Sequence, residues 1–402
     1  MASRIRLDDR GEPISAMEPL LIAEGSRHRG PLVDLAIELA ARSAGFRRSL
    51  PDGVRTALAD LVRAMNCYYS NLIEGHATHP IDIERALAND YSRDARKRDL
   101  QLEARAHIQV QQWIDGGGLG SAPTSVESIR EIHRRFCEHL PTELLWTDDP
   151  ATHERVNVEP GQLRERNVRI GQHVPISPGA VPRFLDRFEE AYAKLGTTDA
   201  ILAVAAAHHR LLWIHPFVDG NGRVARLMSH AMLLSALDTG AIWSATRGLA
   251  RDVVSYKAQL TNCDLPRRND LDSRGALSEE ALAEFTAFFL HVCIDQVRFM
   301  EELVEPNRLR TRILLWVEEE ARSGQLPARA GAVLEAILFR GELPRGEVDA
   351  LLGTTDRHAR RIVAALVERG VVASGGRGPL RLKFPAALAS RWMPGLFPER
   401  AV

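Results

Sequence analysis

The chain lacks most of the features that would place it outside the soluble phase. Cysteine is scarce: Cys67, Cys137, Cys263 and Cys293 are spread over 402 residues with no CxxC pair and no Cys/His ligand spacing. This excludes a disulfide framework and a structural zinc site, and leaves buried thiols as the expectation. Long apolar runs are missing too. The longest, near residues 285–294, includes His291 and is about half the roughly 20 residues needed to cross a bilayer. The first 21 residues contain no continuous apolar stretch and carry Asp8, Asp9 and Glu12, which argues against a secretory signal. A cytoplasmic protein with no membrane partner is expected. The formal net charge of −1 removes any argument from a globally basic surface. Only four of the 52 basic residues are lysine, a bias that fits a GC-rich genome, so a lone arginine is weak evidence of chemistry.

What is present is ordinary for a globular chain. Hydrophobic residues make up 45% and charged residues 26%. At about 150 residues per domain the length suits two or three domains. Residues 1–30 hold Gly11, Pro13, Pro19, Gly25 and Gly30 without sustained periodicity and read as a loosely attached arm. Residues 31–110 read as an N-terminal helical region and 111–305 as a core. Residues 306–326 read as a linker helix, and 327–402 as a small C-terminal domain with a tail. Helical periodicity predicts helices over 181–195, 199–214, 222–237, 251–260 and 278–304, with TSVE at 124–127 as a capping box before another. The segment 167–174 alternates and predicts a short strand or hairpin, the clear β candidate before residue 370. Three short helical stretches at 330–339, 345–352 and 356–369 precede VV at 371–372, a glycine-rich turn and a second strand at 380–384. This pattern fits a helix-turn-helix with a two-stranded wing. The fold class is mainly α.

One stretch carries chemistry. Residues 214–226 read IHPFVDGNGRVAR, a polar loop set between the apolar helices AILAVAAAHHRLLW and VARLMSHAMLLSAL. Gly220, Asn221 and Gly222 open a helix, where free backbone N–H groups and the helix dipole favour phosphate. Arg223 and Arg226 add forked donors suited to a polyphosphate. Asp219 offers a hard oxygen to Mg²⁺, and His215 titrates near neutrality and can take a proton from an incoming hydroxyl.

HPFVDGNGRVAR resembles the signature HxFx(D/E)GNGRxxR of the Fic (Fido) family, with every fixed position filled. The resemblance extends over roughly residues 30–305 and implies an all-α Fic core with a short β-hairpin flap. It implies transfer of AMP from ATP, with Mg²⁺, to a hydroxyl of a target protein. By this resemblance His215 is the base, Asp219 the metal ligand, Gly220, Asn221 and Gly222 the anion hole, and Arg223 and Arg226 the triphosphate grip. GQLRERNVRIG at 161–171 looks like the family's target-docking flap, with Val168, Arg169, Ile170 and Gly171 pairing backbone-to-backbone with the target. Tyr256 lies where the family often has a tyrosine near the nucleotide, although the following residue, often a second tyrosine, is Lys257. SNLIEG at 70–75 resembles the inhibitory motif (S/T)xxxE(G/N), and its place before the core looks like the class with an intramolecular inhibitory helix. Ser70 and Glu74 share a helix face, Gly75 ends the helix, and Glu74 is expected to pair with Arg226 and withhold it from the γ-phosphate.

Other histidines read as structural: His208 and His209 are adjacent and point in different directions, and His133 lies within an Ile/Phe helical repeat. In the C-terminal module Arg357, His358, Arg360 and Arg361 on one helix, and Arg377, Arg381 and Lys383 near the wing, suit duplex DNA. Oligomerisation or docking through the same module stands beside that reading. Two alternatives to the transferase remain: a de-AMPylating hydrolase in which Glu74 orients water, and a nucleotide-sensing, DNA-binding transcription regulator.

Overall fold

A long apolar helix of the sequence becomes the centre of the fold. In α7 (Thr197–Ile214) the residues from Ile201 to Leu211 are all buried, as expected of a helix without a polar face. The computed structural model describes residues 7–76, 78–148, 152–272, 274–376 and 378–397. Around α7 and its partner α8 (Asn221–Leu237) pack α1 (Arg29–Arg48), α2 (Asp52–Ile73), α4 (Ala95–Asp115), α5 (Val126–Glu138), α6 (Val181–Tyr192) and α11 (Glu279–Leu303). The short α3 (Pro80–Leu87) lies against α2 and α4, and α9 (Thr246–Arg251) and α10 (Val253–Asn262) lie against α11. The expected 251–260 helix thus begins after Asp252, whose carboxylate caps it by accepting from Ser255 N–H. Ser125, rather than Thr124, caps α5 by accepting from Ser128 N–H. All four cysteines are buried thiols.

The mainly α class with small two-stranded sheets is as read from the sequence, but two local expectations change. Residues 7–28 are not a loose arm: Met17, Leu20 and Ile22 are buried. Tyr192 Oη donates to the Leu20 carbonyl, buried Arg210 donates to the Pro19 carbonyl, and Glu12 accepts from both N–H and Oγ of Ser177. Scattered apolar residues without periodicity anchor an irregular segment as well as a helix would. The regular ladder in the core lies earlier than 167–174: β1 (Trp146–Asp148) pairs antiparallel with β2 (Arg155–Asn157), Thr147 opposite Val156. Segment 167–174 keeps a single bridge between Ile170 and His173, closed by a turn with Gly171 at φ +58°.

Beyond α12 (Pro306–Arg322), α13 (Ala330–Arg340), α14 (Val348–Leu352) and α15 (Asp356–Glu368) precede an antiparallel pair, β3 (Val372–Ser374) and β4 (Leu380–Leu382). Arg377 lies outside the described residues. This module and the tail after it, with α16 (Ala389–Trp392), grip α2. Tyr69 Oη donates to the Leu396 carbonyl at 2.9 Å, and Tyr68 meets Phe397 edge-on with ring centroids 5.5 Å apart. At the start of α2, Gly53 lies so close to Gly341 that a Cβ there would sit 2.0 Å from the Gly341 carbonyl oxygen. Among the described residues no helix is long and apolar enough to cross a membrane.

Candidate active site

The polar loop between α7 and α8 is held open by its backbone. His215 ends α7 in the left-handed region (φ 52°, ψ 62°), and its N–H still donates to the Leu211 carbonyl. This reversal turns the ring away from the helix. Nδ1–H is assigned as donor to the Leu212 carbonyl at 3.3 Å, which leaves Nε2 as the acceptor. Burial disfavours the imidazolium and lowers the His215 pKa to about 4, so the ring is neutral at pH 7.

Side chains from elsewhere staple the loop. Asn221 accepts from Phe217 N–H at 3.0 Å and donates to the Phe217 carbonyl at 2.9 Å, so its side-chain amide is spent on the loop. His133 stacks on Phe217 at 3.9 Å, accepts from Gly161 N–H and donates to the Asp219 carbonyl. Arg164 is 2% exposed, and its guanidinium donates to the carbonyls of His215, Ile214, Ile176 and Arg166. No carboxylate among the described residues pairs with it, and burial lowers its pKa to about 10. The guanidinium joins the loop to the segment carrying the candidate flap.

Gly220 (φ +81°) precedes α8, whose first-turn N–H groups have no partner within the helix. Arg223 and Arg226 follow on α8, both buried. Arg226 Nε donates to Ser70 Oγ at 2.9 Å, and one of its terminal nitrogens, Nη2, donates to both the Ser70 carbonyl and the Glu74 carboxylate. Burial alone would raise the Glu74 pKa; the Arg226 guanidinium outweighs it and holds the carboxyl below the usual range. Gly75 takes φ +85° directly after Glu74, the stop expected there. Gly222 makes the approach possible, because a Cβ at that position would lie 2.4 Å from Glu74 Oε1.

Most of these groups line one cleft of about 620 Å³; Arg226, predicted as part of the triphosphate grip, does not line it, although its partner Glu74 does. The floor of the cleft is His215, Asp219, Gly220, Asn221, Gly222 and Arg223, with Glu74 at the edge. One wall is the candidate flap, including Val168, Arg169 and Ile170; another is the β1–β2 hairpin through Thr147 and Val156. Gly171 shapes the flap turn without lining the cleft. Tyr256 does not reach it either. That residue is 2% exposed, bonds His208 Nε2 through its hydroxyl at 2.6 Å, and burial raises its pKa to about 12. His208 and His209 are buried and hydrogen-bonded within the helix packing, as their adjacency implied.

Among the described residues no group of three or more acidic, His or Cys side chains is placed to hold a metal ion. A single hard carboxylate beside a phosphate-binding helix end fits Mg²⁺, which keeps waters and takes its other ligands from phosphates. Sequence reasoning overlooked Arg164, Glu103 and His76. Glu103 accepts from Arg223 at 3.2 Å and from His76 Nδ1 at 2.8 Å.

Residues 123–233, which include this loop and α8 to Leu233, match the model of the Fic/DOC family. Over this stretch the chain is similar to the Fic/DOC family. Two curated relatives carry the name "Protein adenylyltransferase Fic". That of Drosophila erecta is 28% identical over 171 residues, 42% of this chain and 32% of its own length. That of Drosophila melanogaster is 29% identical over 171 residues, with the same shares. The match thus spans about a third of the length of these relatives. A crystal structure of a Fic family protein from Desulfovibrio desulfuricans G20 superposes with a TM-score of 0.52 at 16% identity, over 88% of this chain and 96% of that one. The likeness establishes a shared Fic fold.

Proposed function

We propose that this chain transfers AMP from ATP to a hydroxyl of a target protein and that Glu74 restrains the transfer. The observation carrying this reading is a single cleft that combines neutral His215, Asp219 at the open end of α8, and Glu74, whose carboxylate pairs with motif Arg226. The name of the curated relatives supports the same class of reaction.

His215 Nε2 accepts the hydroxyl proton while that oxygen bonds the α-phosphorus and pyrophosphate departs. N–H groups of the first turn of α8 cradle phosphate oxygens, and Arg223 and Arg226 grip the triphosphate. Asp219 would hold Mg²⁺, which when bound neutralises phosphate charge. Val168, Arg169, Ile170 and Gly171 present backbone to the target segment, so docking depends little on target sequence. While Glu74 occupies Arg226, the γ-phosphate lacks its partner and the α-phosphorus is held off line.

One observation favours a second reading of the same site. Glu74 and His215 line the same cleft, and a water oriented there by the Glu74 carboxylate would make the chain a hydrolase that removes AMP from modified proteins. For the C-terminal module we propose duplex DNA as partner, with self-association as the rival.

The test uses the full chain with ATP and Mg²⁺. Mass spectrometry of Glu74→Gly should find AMP on the protein itself or on added lysate proteins. Adding His215→Ala should reduce transfer about 10²–10⁴-fold with ATP still bound. No transfer by Glu74→Gly overturns the transferase reading. Mg²⁺-dependent release of AMP from a modified protein by the parent chain, lost in Glu74→Gly, would replace it with the hydrolase.

A further inference from the structure

Both arginines of the motif meet a carboxylate from the N-terminal helical region, but from different sides. Glu74, at the end of α2, lines the cleft and lies in the path of anything entering it. Glu103, in the middle of α4, does not line the cleft, whereas its partner Arg223 does. Its carboxylate therefore grips Arg223 from behind, at 3.2 Å from one terminal nitrogen.

Two further contacts and one unspent donor make this a fixed mount. The Glu103 oxygen that takes Arg223 also takes His76 Nδ1 at 2.8 Å, so the carboxylate is held between two donors. The Arg223 guanidinium lies over the face of Phe136, its centre 5.0 Å from the ring centroid. Arg223 Nε is buried without a partner, a donor left unspent at the edge of a cleft suited to an anion. An arginine that is stacked, tethered at one nitrogen and unpaired at another is oriented before its ligand arrives.

We propose that Glu103 is a positioning residue for nucleotide binding: it aims Arg223 at the phosphates without competing for them. This rests on the nucleotide reading of the cleft, and it gives opposite roles to two similar ion pairs. Removing Glu74 should release activity; removing Glu103 should weaken ATP binding.

The experiment measures the ATP dissociation constant by calorimetry, with Mg²⁺, for the full chain in the Glu74→Gly background. Glu103→Gln keeps the side-chain shape and should raise the dissociation constant about tenfold. KM for ATP should rise in parallel, and kcat should change less than about threefold. Glu103→Asp, which keeps the charge, should fall between the two. In an Arg223→Ala background Glu103→Gln should have no further effect, which separates positioning from a general loss of structure. An unchanged dissociation constant in both Glu103 variants overturns the proposal, as does an effect that adds fully to that of Arg223→Ala. Binding of ATP without any AMP transfer would defeat the transferase reading and leave this test intact, because its readout is binding.

Discussion

Burial gives His215 a pKa of about 4, and this sets the pH range in which it can accept a proton. A base must be neutral, so a lowered pKa extends its working range toward acid. The kcat/KM profile of the Glu74→Gly enzyme should stay flat on its acid side down to about pH 5.5 and fall only below it. An acid limb near 6.5, the ordinary histidine value, would count against His215 as the base. Arg164 supports the same loop through four carbonyls that have no other source for this charge-assisted bond. Arg164→Ala should cost about 3 kcal/mol or more in denaturant unfolding and should abolish AMP transfer, and lysine cannot replace the fork. The motif residues were legible because their identities and spacing are unusual. Arg164 was not, because carbonyls leave no mark in a sequence and two of its partners lie about 50 positions away. Glu103 and Arg223 are 120 positions apart, and an acidic residue on a polar helix carries no signal of its own.

Helices were read well where an apolar period ended in a recognisable cap. α2 stopped just before Gly75, as its place after Glu74 implied. The β content was harder. Alternation over 167–174 is real, but ordered strands need a partner, and the chain pairs 146–148 with 155–157 instead. Those strands are three residues each, too short for period two to stand out. The helix–hairpin module after α12 was also readable, although its charges are less available than composition suggests. Arg360 pairs with Asp356, Arg381 with Glu342, and Arg361 bonds His358. Duplex DNA should therefore bind the full chain weakly, mainly through Arg357 and Lys383. Fluorescence anisotropy should show a log–log salt slope of about −0.9 per phosphate contact, flattened by neutralising Arg357 and Lys383. No binding at low salt, with sedimentation showing a dimer, would assign the module to assembly.

Across the whole molecule, acid is the expected weakness. Burial lowers the pKa of His107 and His208 to about 3, and of His133, His209 and His215 to about 4. Unfolded, each binds a proton near pH 6.5, so between about 6.5 and 4 the unfolded chain carries protons that the native chain refuses. Stability should then fall as pH drops through that window, by up to roughly 1.4 kcal/mol per pH unit for each residue. Urea unfolding at pH 7, 6 and 5 should show the loss; constant stability would mean the histidines charge in the native state. The same scale gives meaning to the touching backbones of Gly53 and Gly341. At 1.5 Å per residue α2 is a rod of roughly 30 Å, with that glycine contact at one end, the tail on Tyr68 and Tyr69, and Glu74 just past the other end. A rod transmits displacement along its length. One methyl group added by Gly53→Ala, far from any nucleotide, should push α2 off the C-terminal module and register as a change in how firmly Glu74 holds Arg226, read as altered AMP transfer by an enzyme whose cleft is untouched.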